Sequence, residues 1–143
     1  MLRQVSETFP KDVKLVIKQF PLPMHGYAKK AAVAALAAGK QGKFWEMHEK
    51  LFASQKDLSD ARVEAIAGEL GLNAEQFVKD LKDPSLAALI DKDTNDGVRA
   101  GVQGTPAIFI NGKPFNQRTL EGFRQAIDAE LKKAHSQSNP DSH

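Results

Sequence analysis

The chain has 143 residues and no cysteine. It therefore has no thiolate to attack a disulfide, to form one, or to bind a metal. His25 and His48 lack the i, i+4 spacing of a shared site, and no neighbouring His or Cys completes a ligand set. Each is expected to be satisfied by a backbone partner, and no metal or cofactor is called for. Asp91-Lys92-Asp93 has no partner set for general acid–base work and reads as a solvated helix face. Gly97, Gly101 and Gly104 follow a helix and lack the G-x-G-x-x-G spacing of a dinucleotide site. No serine sits in a G-x-S-x-G elbow. Trp45 with Phe44 and Phe52 could line a groove, but core packing of their helix is the preferred reading. Gly104-Thr105-Pro106 remains, a short loop leading into an apolar run. By base rate alone its X-Pro bond is trans.

Length and composition bound the rest. A chain of this size suits one domain with a real core. The 41% hydrophobic and 27% charged content is that of an ordinary globular protein. The formal charge is +2, and lysines stand beside acids, as in Lys79-Asp80 and Lys82-Asp83, so no nucleic-acid partner is implied. No apolar run approaches the ~20 residues of a membrane-spanning helix. The residues after Met1 lack the apolar core and cleavage site of a signal peptide.

The elements that would position the loop follow from periodicity and punctuation. Leu2, Val5 and Phe9 share one helix face before Pro10 breaks the pattern. Val13–Phe20 is dense in β-branched residues and suits a strand buried on both faces. A helix from about Met24 to Ala38 stops at Gly39, and a second from Lys43 carries Phe44, Met47, His48, Leu51 and Phe52 on one stripe. A third spans Asp60–Leu70 and ends at Gly71. Asn73 caps a fourth, with Gln76 in the capping-box position. Asp83-Pro84 opens a fifth, whose stripe is Leu86, Leu89, Ile90, Gly97 and Gly101. Ala107–Ile110, Asn111-Gly112 and Lys113–Phe115 read as a hairpin, with Pro114 placing the second strand at an edge. Thr119 caps a last helix with Leu120, Phe123, Ile127 and Leu131 on its core face, and residues 135–143 read as a disordered polar tail.

Three stretches, in order and well spaced, carry a resemblance: "FPKDVKLVIKQFPLPMH", "AAVAALAAGKQGKFWEMHEKLF" and "GVQGTPAIFINGK". Together they resemble the DsbA-like branch of the thioredoxin-fold thiol:disulfide oxidoreductases. The resemblance implies an α/β, thioredoxin-like domain over residues 1–134, with a helical insertion at about 24–101. It also implies that the chain begins inside the family's first helix, so that the first β-strand and the C-x-x-C pair are missing. By motif position Pro106 becomes the cis-proline, preceded by Thr105 and Gly104, in a loop that docks a peptide or protein substrate.

Two functions are then expected. One is a fragment of a thiol:disulfide oxidoreductase, redox-inactive for want of cysteine. The other is a non-catalytic thioredoxin-like binding or assembly module. The missing strand leaves open edges, so a homodimer or higher oligomer rearranged around residues 1–20 is expected. By resemblance a complete parent is periplasmic or extracytoplasmic.

Overall fold

The computed structural model describes residues 1–23 and 25–138. They divide into two compact units, Met1–Ile17 with Gly104–His143, and Lys18–Gln103.

The Lys18–Gln103 unit is helical. Helix α2 (Ala28–Lys40) packs on α3 (Phe44–Ala53), α4 (Asp60–Glu69), α5 (Ala74–Leu81) and α6 (Pro84–Arg99). Alanine explains how one helix touches four others. Ala34, Ala37 and Ala38 are fully buried, and their small side chains let neighbouring backbones approach. Met47, Ile66 and Phe77 fill the spaces between. Burying each contributes about 1.5–3 kcal/mol. Ser59, Asn73 and Asp83 accept backbone N–H bonds at the starts of α4, α5 and α6. Such caps are worth about 1 kcal/mol each.

Several boundaries differ from the sequence expectation. Helix α2 starts at Ala28, because His25–Tyr27 form a turn closed by the Ala28 N–H on the His25 carbonyl. Met24 lies outside the described residues. The left-handed residue that ends α2 is Gly42, not Gly39. Its N–H bonds Gly39 and the Lys43 N–H bonds Ala38, a Schellman closure. Gly39 lies instead where a Cβ would meet that of Phe44 at 3.4 Å. Gly101 is likewise a cap with positive φ, past the end of α6 rather than on its stripe, and Val102 closes onto Gly97. The capping box at Asn73 is opened. Gln76 sends its side-chain amide to Asp80, and the Asn73 N–H goes to the side-chain oxygen of Gln41. Leu89 is exposed, and the α6 face that it was expected to share instead buries Leu86, Ile90 and Asp93.

The other unit joins α1 (Leu2–Thr8), α7 (Leu120–Gln137) and a hairpin of β1 (Phe109–Ile110) with β2 (Lys113–Pro114). Val5, Phe123 and Ile127 are its buried centre, packed by Leu2, Phe9, Val13, Ile108, Ile110, Phe115 and Leu131. The Phe115 and Phe123 ring centroids are 4.7 Å apart. Leu120 is exposed, since it opens α7 one turn before the buried stripe. Thr119 caps α7 as expected. Residues 135–137, assigned to the tail from sequence, continue the helix, and residues 139–143 lie outside the described part.

The largest departure is Val13–Phe20. These residues form no strand ladder, and their burial alternates rather than being complete on both faces. Val13, Leu15, Ile17 and Gln19 are half-buried, while Lys14, Val16 and Lys18 are exposed. A strand needs a neighbour for its N–H and C=O groups. Among the described residues, none of residues 14–20 makes a backbone–backbone hydrogen bond.

Candidate functional site

Gly104, Thr105 and Pro106 form one exposed loop leading into β1. The Thr105–Pro106 peptide is cis. The hairpin behind the loop is fixed by its turn, in which Asn111 and Gly112 both take positive φ. This is the pattern of a two-residue turn matched to strand twist. The register pairs Phe109 with Pro114 and Ile110 with Lys113, and the Phe115 N–H reaches the Ile108 carbonyl at 2.8 Å. The turn is tied to α7 by the Asn111 amide, which donates to Glu130 at 3.1 Å.

The loop is also held from the start of α7. The guanidinium of Arg118 donates to the Pro106 carbonyl at 2.8 Å. The segment carrying Arg118 packs closely on the first turn of the helix. A Cβ on Gly122 would lie 2.9 Å from the Gln117 carbonyl oxygen. Sequence reasoning missed Arg118. It stands next to the Thr119 cap, outside any periodic stripe, and no residue pattern linked it to a loop twelve positions earlier.

The loop offers backbone groups rather than reactive side chains. Among the described residues, the N–H and C=O of Gly104 and Thr105 and the N–H of Ala107 make no backbone–backbone hydrogen bond. Exposed, unpaired amides and carbonyls beside a short strand can accept an extended peptide by strand addition. With no thiol in the chain, the arrangement supports docking and not exchange.

His25 and His48 belong to the Lys18–Gln103 unit. His25 is exposed and His48 half-buried. Neither imidazole has the backbone partner expected of it among the described residues. His48 lies instead between the rings of Phe44, at 5.8 Å, and Phe52, at 5.3 Å. Burial there lowers its pKa below the ordinary value of 6.5. Among the described residues no group of three His, Cys, Asp or Glu is placed to hold a metal ion.

Two further expectations are corrected in the helical unit. Trp45 and Phe52 are not core residues, and Phe52 is 65% exposed. They flank the buried Met47–Leu51 stripe of α3. The run Asp91-Lys92-Asp93 is not a merely solvated face. Asp93 is 8% exposed and accepts the Gln19 N–H at 2.9 Å. Asp91 pairs with Lys29, and Lys92 with Asp96. The spacing of Asp93 from Leu86 and Ile90 on one helix face was the legible signal for its burial.

Comparison with known proteins adds to this geometry. A family model described as thioredoxin matches residues 3–129. Among solved structures, a thioredoxin-like oxidoreductase from Silicibacter pomeroyi DSS-3 superposes with a TM-score of 0.74 at 27% identity. The match covers 92% of this chain and 75% of that one. Curated relatives include Na(+)/H(+) antiporter NhaA 3 of Salinispora tropica, 39% identical over 114 residues. Another is Na(+)/H(+) antiporter NhaA of Herminiimonas arsenicoxydans, 33% identical over 122 residues. These alignments cover 76% and 82% of this chain but only 18% and 19% of the antiporters. This chain thus spans under a fifth of their length, and among its described residues no helix is long and apolar enough to cross a membrane.

Proposed function

This chain belongs to the thioredoxin family, with a DsbA-like thioredoxin fold, and we propose that it is the peptide-docking part of a thiol:disulfide oxidoreductase, without redox chemistry of its own. The observation that carries the reading is the exposed loop Gly104-Thr105-Pro106, whose backbone groups stand open beside β1. An unfolded substrate segment lies along this loop in extended form and pairs with the Thr105 and Ala107 backbone. Arg118 acts as a positioning residue, holding the Pro106 carbonyl so that the loop keeps its path. Thiol–disulfide exchange needs a thiolate to attack one sulfur while the other leaves. No residue here supplies it, so the thiols of such a reaction lie outside these 143 residues.

A second reading is favoured by the antiporter relatives. In it the chain is a non-catalytic thioredoxin-like binding or assembly module, of the kind that makes up a minor part of a longer membrane protein. Both readings use the same loop. In both, the unpaired edge around Val13–Ile17 promotes association of copies into a homodimer or higher assembly.

The test is dithiol-dependent reduction of insulin, run beside oxidative refolding of a reduced substrate. The purified chain is expected to match the buffer blank in both. Adding a peptide that carries a strand and a C-x-x-C pair separates the readings. Restored turnover supports the oxidoreductase part, and continued silence with peptide docking intact supports the module. Turnover by the chain alone contradicts both.

A further inference from the structure

The chain has five asparagines, at positions 73, 95, 111, 116 and 139, and only Asn111 is followed by glycine. That pair has a reaction open to it that needs no enzyme. A backbone nitrogen whose residue has no Cβ can reach the carbon of the preceding side-chain amide. The other asparagines are worse placed. Asn73 spends its side chain as the cap of α5, and Asn95 lies inside α6. Asn116 is followed by the larger Gln117, and Asn139 by proline, whose nitrogen has no proton to lose. At the hairpin turn Asn111 and Gly112 are both exposed, with φ of 46° and 78°. Nothing lies within 4 Å of the place a Cβ on Gly112 would take. Among the described residues the Gly112 N–H makes no backbone–backbone hydrogen bond. One contact opposes the reaction. The Asn111 amide donates to Glu130 on α7 at 3.1 Å, and Glu130 is itself paired with Lys133 at 2.8 Å and Lys113 at 3.8 Å.

We propose that Asn111 is a site of spontaneous deamidation, and that its hydrogen bond to Glu130 restrains the rate. An ionised carboxylate only accepts. Glu130 therefore holds the amide toward α7 and offers the departing nitrogen no proton. Once that bond opens, the Gly112 nitrogen gives its proton to a solvent base and bonds to Cγ of Asn111. The Cγ–Nδ2 bond breaks, and the nitrogen takes a proton from water and leaves as ammonia. Water then adds to either carbonyl of the resulting cyclic imide. Ring opening leaves aspartate at position 111, or isoaspartate, in which the main chain runs through the side-chain carbon. One water is consumed and one ammonia released, with no change of oxidation state. The product cannot donate to Glu130, so a hydrogen bond becomes two like charges across the same gap. Isoaspartate also adds a carbon to a turn whose length sets the pairing of Phe109 with Pro114 and Ile110 with Lys113. The modification thus unties the hairpin from α7.

The experiment incubates the full chain at mildly alkaline pH and follows each asparagine by peptide mass mapping. Isoaspartate is read separately, by methyl transfer from a protein isoaspartyl methyltransferase. Asn111 is expected to convert before the other four asparagines, with isoaspartate appearing at position 111. Survival of Asn111 while another asparagine converts overturns the site. Glu130→Ala is expected to speed the loss by about 2- to 10-fold, the worth of one hydrogen bond. Glu130→Gln keeps an acceptor and is expected to change the rate less. An equal or slower loss in Glu130→Ala overturns the restraint. Val5→Ala weakens the buried cluster of the same unit without touching the turn, and is expected to speed the loss less than Glu130→Ala does. An acceleration as large as that of Glu130→Ala shows that opening of the unit sets the rate, which also overturns the role of Glu130. Asn111→Asp reproduces one product directly. Its urea midpoint is expected to fall below the parent's at neutral pH, with the gap closing in high salt. A midpoint equal to or above the parent's contradicts the untying.

Discussion

The carboxylate of Asp93 on α6 accepts the backbone N–H of Gln19 at 2.9 Å. A side chain thus does for Gln19 what a neighbouring strand does in a sheet. Asp93→Ala leaves that part-buried N–H without a partner and is expected to cost about 1–3 kcal/mol. Asp93→Asn keeps an acceptor and is expected to cost less. Urea unfolding of the three chains checks the order. Equal midpoints for the parent and Asp93→Ala contradict it.

Two glycine-to-alanine changes are expected to have opposite signs. A Cβ on Gly97 would lie 2.7 Å from two ring carbons of Phe20, so the ring must move. Overpacking of this kind costs about 1–3 kcal/mol. Gly68, in α4, has nothing within 4 Å of the same position. There alanine gains up to about 1 kcal/mol of helix propensity. Thermal or urea unfolding reads both. A stabilised Gly97→Ala chain contradicts the close approach.

The ion pair between Lys18 and Asp96 makes stability depend on pH in a fixed direction. Hydrogen bonds from Lys18 and then from Lys92 hold the Asp96 carboxyl at about 2, below its ordinary 3.8. The folded value lies below the unfolded one. The stabilisation is therefore fully present above 3.8 and is lost as pH falls toward 2. The Asp96 hydrogen bond raises Lys18 above its ordinary 10.5, so the same pair fades again as pH rises past that value. Lys18→Ala is expected to lower the urea midpoint at pH 6 and to match the parent at pH 2. Both groups face solvent, so the difference shrinks in high salt. A gap that widens toward pH 2 contradicts the assignment.

Burial sets a second, milder dependence at His48. Packing between Phe44 and Phe52 disfavours its charged form. Its contribution is present above pH 6.5 and is lost as pH falls through the lowered value. His48→Phe is expected to remove that step from the stability profile between pH 7 and 4. A step of undiminished size in the variant shows that another group is responsible.

Much of the helical unit was legible because its signals are local. Asn73, Asp83 and Thr119 announce their caps by residue type, and the spacing of Met47 and Leu51 marks the buried face of α3. What was missed depends on geometry that residue type alone does not announce. Gly42 rather than Gly39 ends α2, because Lys43 can still close onto Ala38. Trp45 and Phe52 share helical spacing with core residues but face outward, which periodicity cannot distinguish on a short helix. Val13–Phe20 has the composition of a buried strand, and composition says nothing of whether a neighbour is present. At the candidate site, the loop Gly104-Thr105-Pro106 came from resemblance to a family motif. Arg118 came only from the three-dimensional contact with Pro106.

That contact gives a prediction for the loop. Arg118→Ala removes an exposed hydrogen bond, so global stability is expected to change by about 1 kcal/mol or less. Peptide docking is expected to weaken more than stability, since the loop loses the group holding its carbonyl. Parallel urea and binding curves separate the two effects, and unchanged binding removes Arg118 from the site.

The most direct measurement is a backbone amide NMR titration of the parent chain with a reduced, unfolded polypeptide. The account predicts that the amides of Thr105 and Ala107 shift first and furthest, that the shifts saturate, and that the polypeptide's redox state is unchanged at the end. Saturable shifts confined to the exposed aromatic residues of α3, with Thr105 and Ala107 still, contradict it.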